Sequence, residues 1–369
     1  MSEIFETSFL GPLPLRNRTV RSATWEGLAD KDGFVRPELV EMMAELARNS
    51  VGLIIPGYLY VAPGGRGLPC QTGVWDDAHM EGLSQIAEAI HREGGTAAAQ
   101  IAHAGGRTRT QYNEGRTPVA PSAVEGFSFG ETPREMTTAE ITDMVSSFAR
   151  AARRVKEAGF DAVQLHAAHN YLISQFLSPL VNRRQDAYGG TPEKRRRFLL
   201  EVYDAVREEV GETFPILIKI NTTDGPEGGI TPDEALDTVK VLAGRGLDAV
   251  EVSGGLAGSD DYRPSRKGIK KASQEAYFRS ASSFFKQNLD IPVILVGGIK
   301  SYEIAEDILT GKDADYLAFS RALISEPDLI LRWEQGDLTG SKCLSCNLCL
   351  GEGLQGSGIS CAGMKKGEK

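Results

Sequence analysis

Short apolar runs alternate with longer amphipathic segments along nearly the whole chain, the pattern of βαβ units feeding a parallel sheet. Eight runs are legible: Thr19–Ala23, Gly52–Gly57, Thr96–Ala102, Ala162–His166, Ile216–Ile220, Ala249–Ser253, Val293–Gly297 and Tyr316–Ser320. Helical patterns follow them at Pro37–Asn49, Asp77–Glu93, Thr138–Ala158, Pro192–Val210, Pro232–Ala243, Gln274–Gln287, Ser301–Leu309 and Glu326–Glu334. Thr231-Pro232-Asp233-Glu234 has the chemistry of a helix start: a capping hydroxyl, a proline at the first helical position and acids in the first turn.

Eight strand–helix pairs suit a (β/α)8 barrel better than a doubly wound sheet, which usually has five or six strands. The expected architecture is therefore α/β: a single (β/α)8 TIM barrel over residues 1–340 with long βα-loop insertions, and a short Cys-rich C-terminal tail over 341–369. The count matters because 369 residues alone would suggest two or three domains at about 100–200 residues each. Three connections are long, His103–Thr137, Ala167–Thr191 and Gly254–Ser273. Loops after barrel strands build the active face, so these insertions are expected to wall a pocket.

Composition narrows the class further. With 41% hydrophobic and 25% charged residues the chain reads as globular, not disordered, collagenous or coiled. A net charge of −9 without a dominant basic stretch argues against nucleic acid or an anionic membrane as partner. The N-terminus lacks the apolar run of a signal peptide and no segment approaches the ~20 apolar residues of a membrane span, so a cytoplasmic location is expected. No fixed-period repeat is visible.

His103, His166 and His169 fall at or just beyond the ends of the third and fourth runs, the catalytic rim of a barrel. In QLHAAHNYLISQF, His166, His169 and Tyr171 emerge from one loop. Two imidazole N–H donors aimed at one point suit a developing oxyanion or enolate, and a phenol can protonate a carbanion. A polar loop that merely caps the strand is the plain alternative. Zinc on imidazoles three apart is another, although no nearby acid completes a usual ligand set. Near the other end, Gly297 and Gly298 follow the seventh run, and Ser320 and Arg321 end the eighth, where barrels commonly keep a phosphate site. Lys219 would point from the fifth run into the mouth, stabilising negative charge or forming a structural ion pair.

Gly351-Glu352-Gly353-Leu354-Gln355-Gly356 satisfies G-x-G-x-x-G, but no strand precedes it, so it is expected to be flexible tail and no dinucleotide site. Cys343, Cys346, Cys349 and Cys361 read C-x2-C-x2-C-x11-C. That spacing suits a [4Fe–4S] cluster better than zinc, with free thiols as the alternative.

These residues resemble the Old Yellow Enzyme family, the FMN-dependent NADH:flavin oxidoreductases. The resemblance covers essentially the whole chain and rests on FDAVQLHAAHNYLISQFLSPLVNRRQDAYGG, RNRTVRSATWEG, QIAHAGGR, VGGI and FSRALISEPDL. The branch is similar to the barrel domains of 2,4-dienoyl-CoA reductase and trimethylamine dehydrogenase, which carry a similar cysteine run. The resemblance implies that His166 and His169 hydrogen-bond the carbonyl oxygen of an unsaturated substrate and that Tyr171 protonates its α-carbon. It implies FMN contacts from Ser22, Ala23, Thr24, Tyr58, Gln100 and His166. Lys219 matches a cation near flavin N1 and O2, and Gly297, Gly298, Ser320 and Arg321 match phosphate-binding elements. Trp25 stands where the family often has Thr or Cys, and Asn170 replaces the usual Gly between the second His and the Tyr.

The leading expectation is an FMN-dependent oxidoreductase that takes hydride from NAD(P)H and reduces the activated C=C bond of an α,β-unsaturated carbonyl compound by a ping-pong mechanism. A small-molecule substrate, a homo-oligomer or a redox partner would be its associates. A second expectation is a flavin/iron–sulfur electron-transfer component working with a partner protein. A third is a metal-dependent barrel hydrolase using the histidines.

Overall fold

The structure, a computed structural model, describes residues 2–126, 131–256 and 262–363. Eight parallel strands close on themselves: β1 Thr19–Arg21, β2 Leu53–Ile54, β3 Thr96–Ala102, β4 Ala162–Ala167, β5 Ile216–Asn221, β6 Ala249–Ser253, β7 Val293–Val296 and β8 Tyr316–Phe319. Closure is completed where β8 pairs with β1 through Leu317 and Thr19 and where β2 meets β3 through Leu53 and Thr96. The ring of helices is α1 Pro37–Arg48, α2 Met80–Arg92, α3 Thr138–Glu157, α4 Arg197–Val210, α5 Pro232–Ala243, α6 Arg279–Lys286, α7 Tyr302–Thr310 and α8 Leu329–Glu334. This is the expected (β/α)8 barrel.

The helix ends follow local chemistry. Thr137 Oγ1 accepts from Glu140 N while Glu140 returns a bond to Thr137 N, a reciprocal cap that starts α3. Thr231 caps α5 as the sequence suggests, accepting from Glu234 N at 3.3 Å. The pattern over Gln274–Gln287 shortens to α6 because Ala276 sits at φ 49°, which no α-helix continues. The pattern over Pro192–Val210 splits at Arg196 into a single turn, Pro192–Arg195, and α4.

Strand side chains alternate between the helix-facing side and the barrel interior. Inward residues at the bottom are apolar: Val20, Leu53, Ala98, Ala162, Leu217, Ala249, Ile294 and Tyr316 pack with Leu10 and Leu13. Those two leucines belong to an antiparallel hairpin, Ser8–Leu10 with Leu13–Leu15, which the periodicity did not reveal and which plugs the barrel floor. Two residues further up, the inward positions of five of the eight strands turn polar: Ser22, Gln100, Gln164, Lys219 and Glu251, all buried. The floor supplies apolar burial, at about 1.5–3 kcal/mol for each large side chain. The polar layer supports whatever occupies the mouth.

Residues 341–363 do not stand away from the barrel. Ser341 Oγ and Lys342 N donate to Glu326, Gly268 N donates to Ser345 O, and Ile359 N donates to Glu26 O at 2.7 Å. The segment expected to be flexible instead contains a helix, Leu348–Glu352, continuing into a π-turn over Gly353–Ser357. Gly353 lies against Trp25 so closely that a Cβ there would meet the indole at 2.8 Å.

Candidate active site

At the C-terminal ends of the strands lies a cavity of about 370 Å³. Ser22, Ala23 and Thr24 leave β1 to form one edge, with Trp25 and Tyr58 beside them. His169 and Tyr171 come from the loop after β4, and Lys219 and Ser253 project from β5 and β6. Gly298, Lys300, Ser320 and Arg321 close the β7 and β8 side.

The histidine–tyrosine group depends on an unusual turn. His169 and Asn170 both occupy the left-handed region, at φ 61° and 62°. Asn tolerates that conformation better than most side chains, so Asn170 serves where glycine would otherwise be expected. The turn is braced by Asn221 Oδ1 accepting from His169 N at 3.0 Å and by Gln175 Nε2 donating to Asn170 O at 2.6 Å. It folds Tyr171 back over β4: the His166 ring lies 4.6 Å from the Tyr171 ring and 5.2 Å from that of His169. Tyr58 packs edge-on to Tyr171 at 5.0 Å.

Burial governs the protonation of this group. Burial, then the positive charges of Lys219 and Arg107, holds His166 well below the usual histidine range. His169 is lowered by burial, Lys219, His166 and Arg107. Both imidazoles are therefore neutral at physiological pH, each able to donate one N–H. Burial raises Tyr171, with Arg107 and Tyr58 opposing the rise, so its phenol keeps its proton. His169 Nε2 and Ser253 Oγ are hydrogen-bonded at 2.7 Å, which fixes the ring plane.

Beneath the cavity the polar layer is continuous. Gln100 Nε2 donates to Gln164 Oε1 at 2.6 Å, and Gln164 Nε2 donates to Glu251 Oε2 at 3.0 Å. Ser22 Oγ donates to Glu251 Oε1 at 2.6 Å, and Lys219 Nζ lies 2.9 Å from the same oxygen. Lys219 also donates to Ser22 Oγ at 2.7 Å, so it is both ion-paired and presented to the mouth.

On the opposite side, Thr24 Oγ1 and Ser320 Oγ are hydrogen-bonded at 2.8 Å, tying the ends of β1 and β8. Arg321 Nη1 donates to Asn347 Oδ1 at 2.7 Å and to Arg266 O at 2.8 Å. The cysteine segment thus reaches the site: Cys343, Ser345, Asn347 and Cys349 line the same cavity.

A sequence profile of the NADH:flavin oxidoreductase / NADH oxidase family matches residues 3–339. The chain belongs to this family. It is 38% identical over 353 residues to the NADH oxidase of Thermoanaerobacter brockii, covering 94% of this chain and 53% of that protein. It therefore spans about half the length of that relative. Among solved structures, a 2-naphthoyl-CoA reductase complex superposes with a TM-score of 0.91 at 26% identity, covering 97% of this chain and 56% of the other. An old yellow enzyme homologue from Zymomonas mobilis gives 0.77 at 27% identity, with 92% and 94% covered. The Old Yellow Enzyme resemblance drawn from the motifs thus agrees with fold and family.

Two observations test whether these residues fit FMN, the flavin the family implies. The cavity wall carries Arg107, Lys219, Arg263, Lys300 and Arg321 and, among the described residues, no Asp or Glu, as an anionic cofactor needs. His166 Nδ1 is buried without a hydrogen-bond partner, a donor or acceptor left for a bound group. Ten of the residues expected at the site line the cavity: Ser22, Ala23, Thr24, Tyr58, His169, Tyr171, Lys219, Gly298, Ser320 and Arg321. His166 lies behind Tyr171, Gln100 lies in the layer below, and Gly297, at φ 149°, shapes the turn behind Gly298. His103, also on the rim, plays another part. Its Nδ1 accepts from Gly105 N at 3.0 Å and burial lowers it to about 4, so it braces the β3 loop.

Sequence reasoning missed Glu251, Arg107, Ser253 and Asn347. Glu251 had a signal, a charge at an inward position of an apolar run; Arg107 sits in a loop whose residues follow no period. Trp25 Nε1 donates to Pro69 O at 3.1 Å, so the indole is pinned between that loop and Gly353.

The cysteines present a separate case. Zinc thiolates at about 2.3 Å from the metal bring sulfur atoms within about 4 Å of one another. Among the described residues no group of three or more His, Cys, Asp or Glu stands close enough to hold a metal ion. Yet Cys343, Cys346, Cys349 and Cys361 together line one cavity of about 150 Å³. The same finding leaves His166 and His169 without a third ligand for a hydrolytic metal.

Proposed function

We propose that the protein is an FMN-dependent ene-reductase that takes hydride from NADH or NADPH and reduces the activated C=C bond of an α,β-unsaturated carbonyl compound. The observation that carries this reading is the grouping of two neutral imidazoles with a protonated phenol, His169 and Tyr171 lining a flavin-family cavity and His166 packed against both. FMN, when bound, supplies the two-electron hydride chemistry. His166 and His169 orient the substrate by donating to its carbonyl oxygen, where negative charge grows. Tyr171, 4% exposed, is shielded from bulk water and donates its proton to the α-carbon. Ser22, Ala23, Thr24, Tyr58, Gln100 and Lys219 would hold or support the isoalloxazine edge, and Gly297, Gly298, Ser320 and Arg321 the phosphate. Nicotinamide and alkene would occupy the same pocket in turn, in the cytoplasm. Initial rates at several fixed NADPH concentrations test this: parallel reciprocal plots are expected, and converging plots would require both substrates to be bound together.

A second reading adds a [4Fe–4S] cluster held by Cys343, Cys346, Cys349 and Cys361. It is favoured because their cavity shares Arg321, Cys343, Asn347 and Cys349 with the flavin cavity, which sets one-electron chemistry beside two-electron chemistry. A protein acceptor is the partner it requires. Iron and acid-labile sulfide in anaerobically purified protein are the expected finding, and absence of both rejects it.

A further inference from the structure

A net charge of −9 hides a local reversal of sign. Residues 262–274, in the loop after β6, hold five cations and no Asp or Glu, and residues 341–351, in the cysteine segment, add Lys342, again without an acid. The fold brings the two stretches together. Lys300 Nζ donates to Ile269 O at 2.9 Å and to Cys343 O at 3.4 Å, so one ammonium joins the neighbours of Lys270 and Lys342. Gly268 N donates to Ser345 O at 3.0 Å, and Asn347 Nδ2 donates to Ser265 O at 2.9 Å.

Arg266, Lys270, Lys271 and Lys342 are exposed, and none of these four side chains is ion-paired among the described residues. The guanidinium carbon of Arg266 lies 4.6 Å from the centroid of the Tyr277 ring, which lines the flavin cavity, so Arg266 stands at its lip. Leu344 and Leu348, 69% and 57% exposed, share the segment of Lys342, and Leu344 lines the cysteine cavity. Scattered surface lysines need no partner to explain them. A rim free of acids on an acidic chain, with large apolar side chains left in water beside it, has the make-up of a protein interface.

We infer that this rim docks an acidic one-electron carrier protein, which draws electrons from the flavin site. The step balances with NADPH as donor: one NADPH and two oxidised carriers give one NADP+, two reduced carriers and one proton. This deepens the second reading by giving its protein acceptor a charge and a docking surface. It rests on the flavin common to both readings and not on the cluster, so absence of iron and sulfide would reject that reading and leave this inference standing. Opposite charges at the contact are what let a carrier approach a molecule that repels it at long range.

The sign of the salt dependence tests it, with soluble cytochrome b5, an acidic haem protein, as the acceptor. The FMN-loaded enzyme and NADPH are mixed with it between about 0.01 and 0.15 M ionic strength, where the Debye length shortens from about 30 to about 8 Å. Docking on the rim should make haem reduction slow by about tenfold as salt rises. Repulsion between two acidic proteins without such a rim would make it rise, and a rise or a flat profile overturns the inference. K270E/K342E should cut the low-salt rate about tenfold or more and abolish its fall with salt, while flavin reduction by NADPH stays unchanged. K240E/K312E makes the same change of net charge at the C-terminal ends of α5 and α7, on the barrel's other face, and should stay within about threefold of the wild type. Sedimentation at the haem wavelength, with oxidised enzyme and no NADPH, reads binding without turnover: a complex is expected with the wild type and K240E/K312E and not with K270E/K342E. Binding without haem reduction overturns the inference, as does an equal loss in both variants. If K270E/K342E instead weakens only NADPH, or only retention on phosphatidylserine vesicles, the rim belongs to the nucleotide or to a membrane and the inference falls.

Discussion

Replacing Glu251 by Gln isolates the polar layer on which the proposed flavin site stands. Glu251 is completely buried and accepts three hydrogen bonds, from Lys219 Nζ, Ser22 Oγ and Gln164 Nε2, at 2.9, 2.6 and 3.0 Å. The amide keeps the shape but loses the charge, so Lys219, only 3% exposed, would remain as an uncompensated buried cation. Breaking a buried pair from one side costs about 3–5 kcal/mol, mostly the penalty of the charge left behind. K219M leaves the carboxylate stranded and is expected to cost a similar amount. The double variant K219M/E251Q strands neither charge, so its loss should fall short of the sum of the singles by about 2–3 kcal/mol. Urea unfolding followed by tryptophan fluorescence, at one fixed FMN concentration because ligand shifts apparent stability, measures all four proteins. Losses that add to within about 0.5 kcal/mol would show that the two side chains do not couple, and the account of the layer would fall.

Y171F removes the proposed acid while keeping the ring that packs on Tyr58 and His166; the oxidative half-reaction with an enone should slow by about 10²–10⁴-fold in stopped-flow measurements. Equal slowing of flavin reduction by NADPH would point to a general packing defect. For His103 the sign follows from its depressed value. Below about pH 6.5 the unfolded chain takes up a proton that the folded one refuses until about 4, so stability is full above 6.5 and is lost as pH falls. Across that window the loss is about 3 kcal/mol. H103Q should therefore narrow the wild-type advantage by that amount between pH 7 and 4, and an unchanged gap would refute it. N347A withdraws the acceptor that orients Arg321 and should weaken FMN binding about fivefold, the worth of roughly 1 kcal/mol, as read by fluorescence titration; unchanged affinity would detach Asn347 from the phosphate site.

The barrel was legible because its evidence is repetitive. Eight apolar runs, each followed by a 3.6-residue pattern, are hard to satisfy with any other sheet, and the structure moves their ends by only a few residues. The floor hairpin escaped notice because Ser8–Leu10 and Leu13–Leu15 are three residues each, too short to show a period. The shortened α6 escaped for another reason: one left-handed residue, Ala276, breaks a segment whose apolar spacing is otherwise helical.

Within the site, legibility depended on whether a residue belonged to a strand. Lys219 could be aimed into the mouth because period two fixes which face it takes, and the same logic applied to AVEVS would have placed Glu251 opposite it. Loop residues offer no such rule. Arg107 is set by a turn that brings its guanidinium to the carbonyl of His169, sixty-two positions later, a contact no spacing encodes. Asn347 shows the limit most sharply. It was read past as one residue between two cysteines, yet its side chain joins Arg321 to Ser265 and so couples the cysteine loop, the β8 arginine and the long loop after β6. The four cysteines could be read from spacing as ligands, zinc or idle thiols; the fold sets them around a void that shares its wall with the flavin cavity. A tail built only to end the chain would have no cause to complete the arginine's hydrogen bonding. The geometry therefore makes Cys343, Ser345, Asn347, Cys349 and Leu350 part of the cavity wall, and any ligand that orders the cysteine loop must also act on Arg321, the residue proposed to hold the cofactor phosphate.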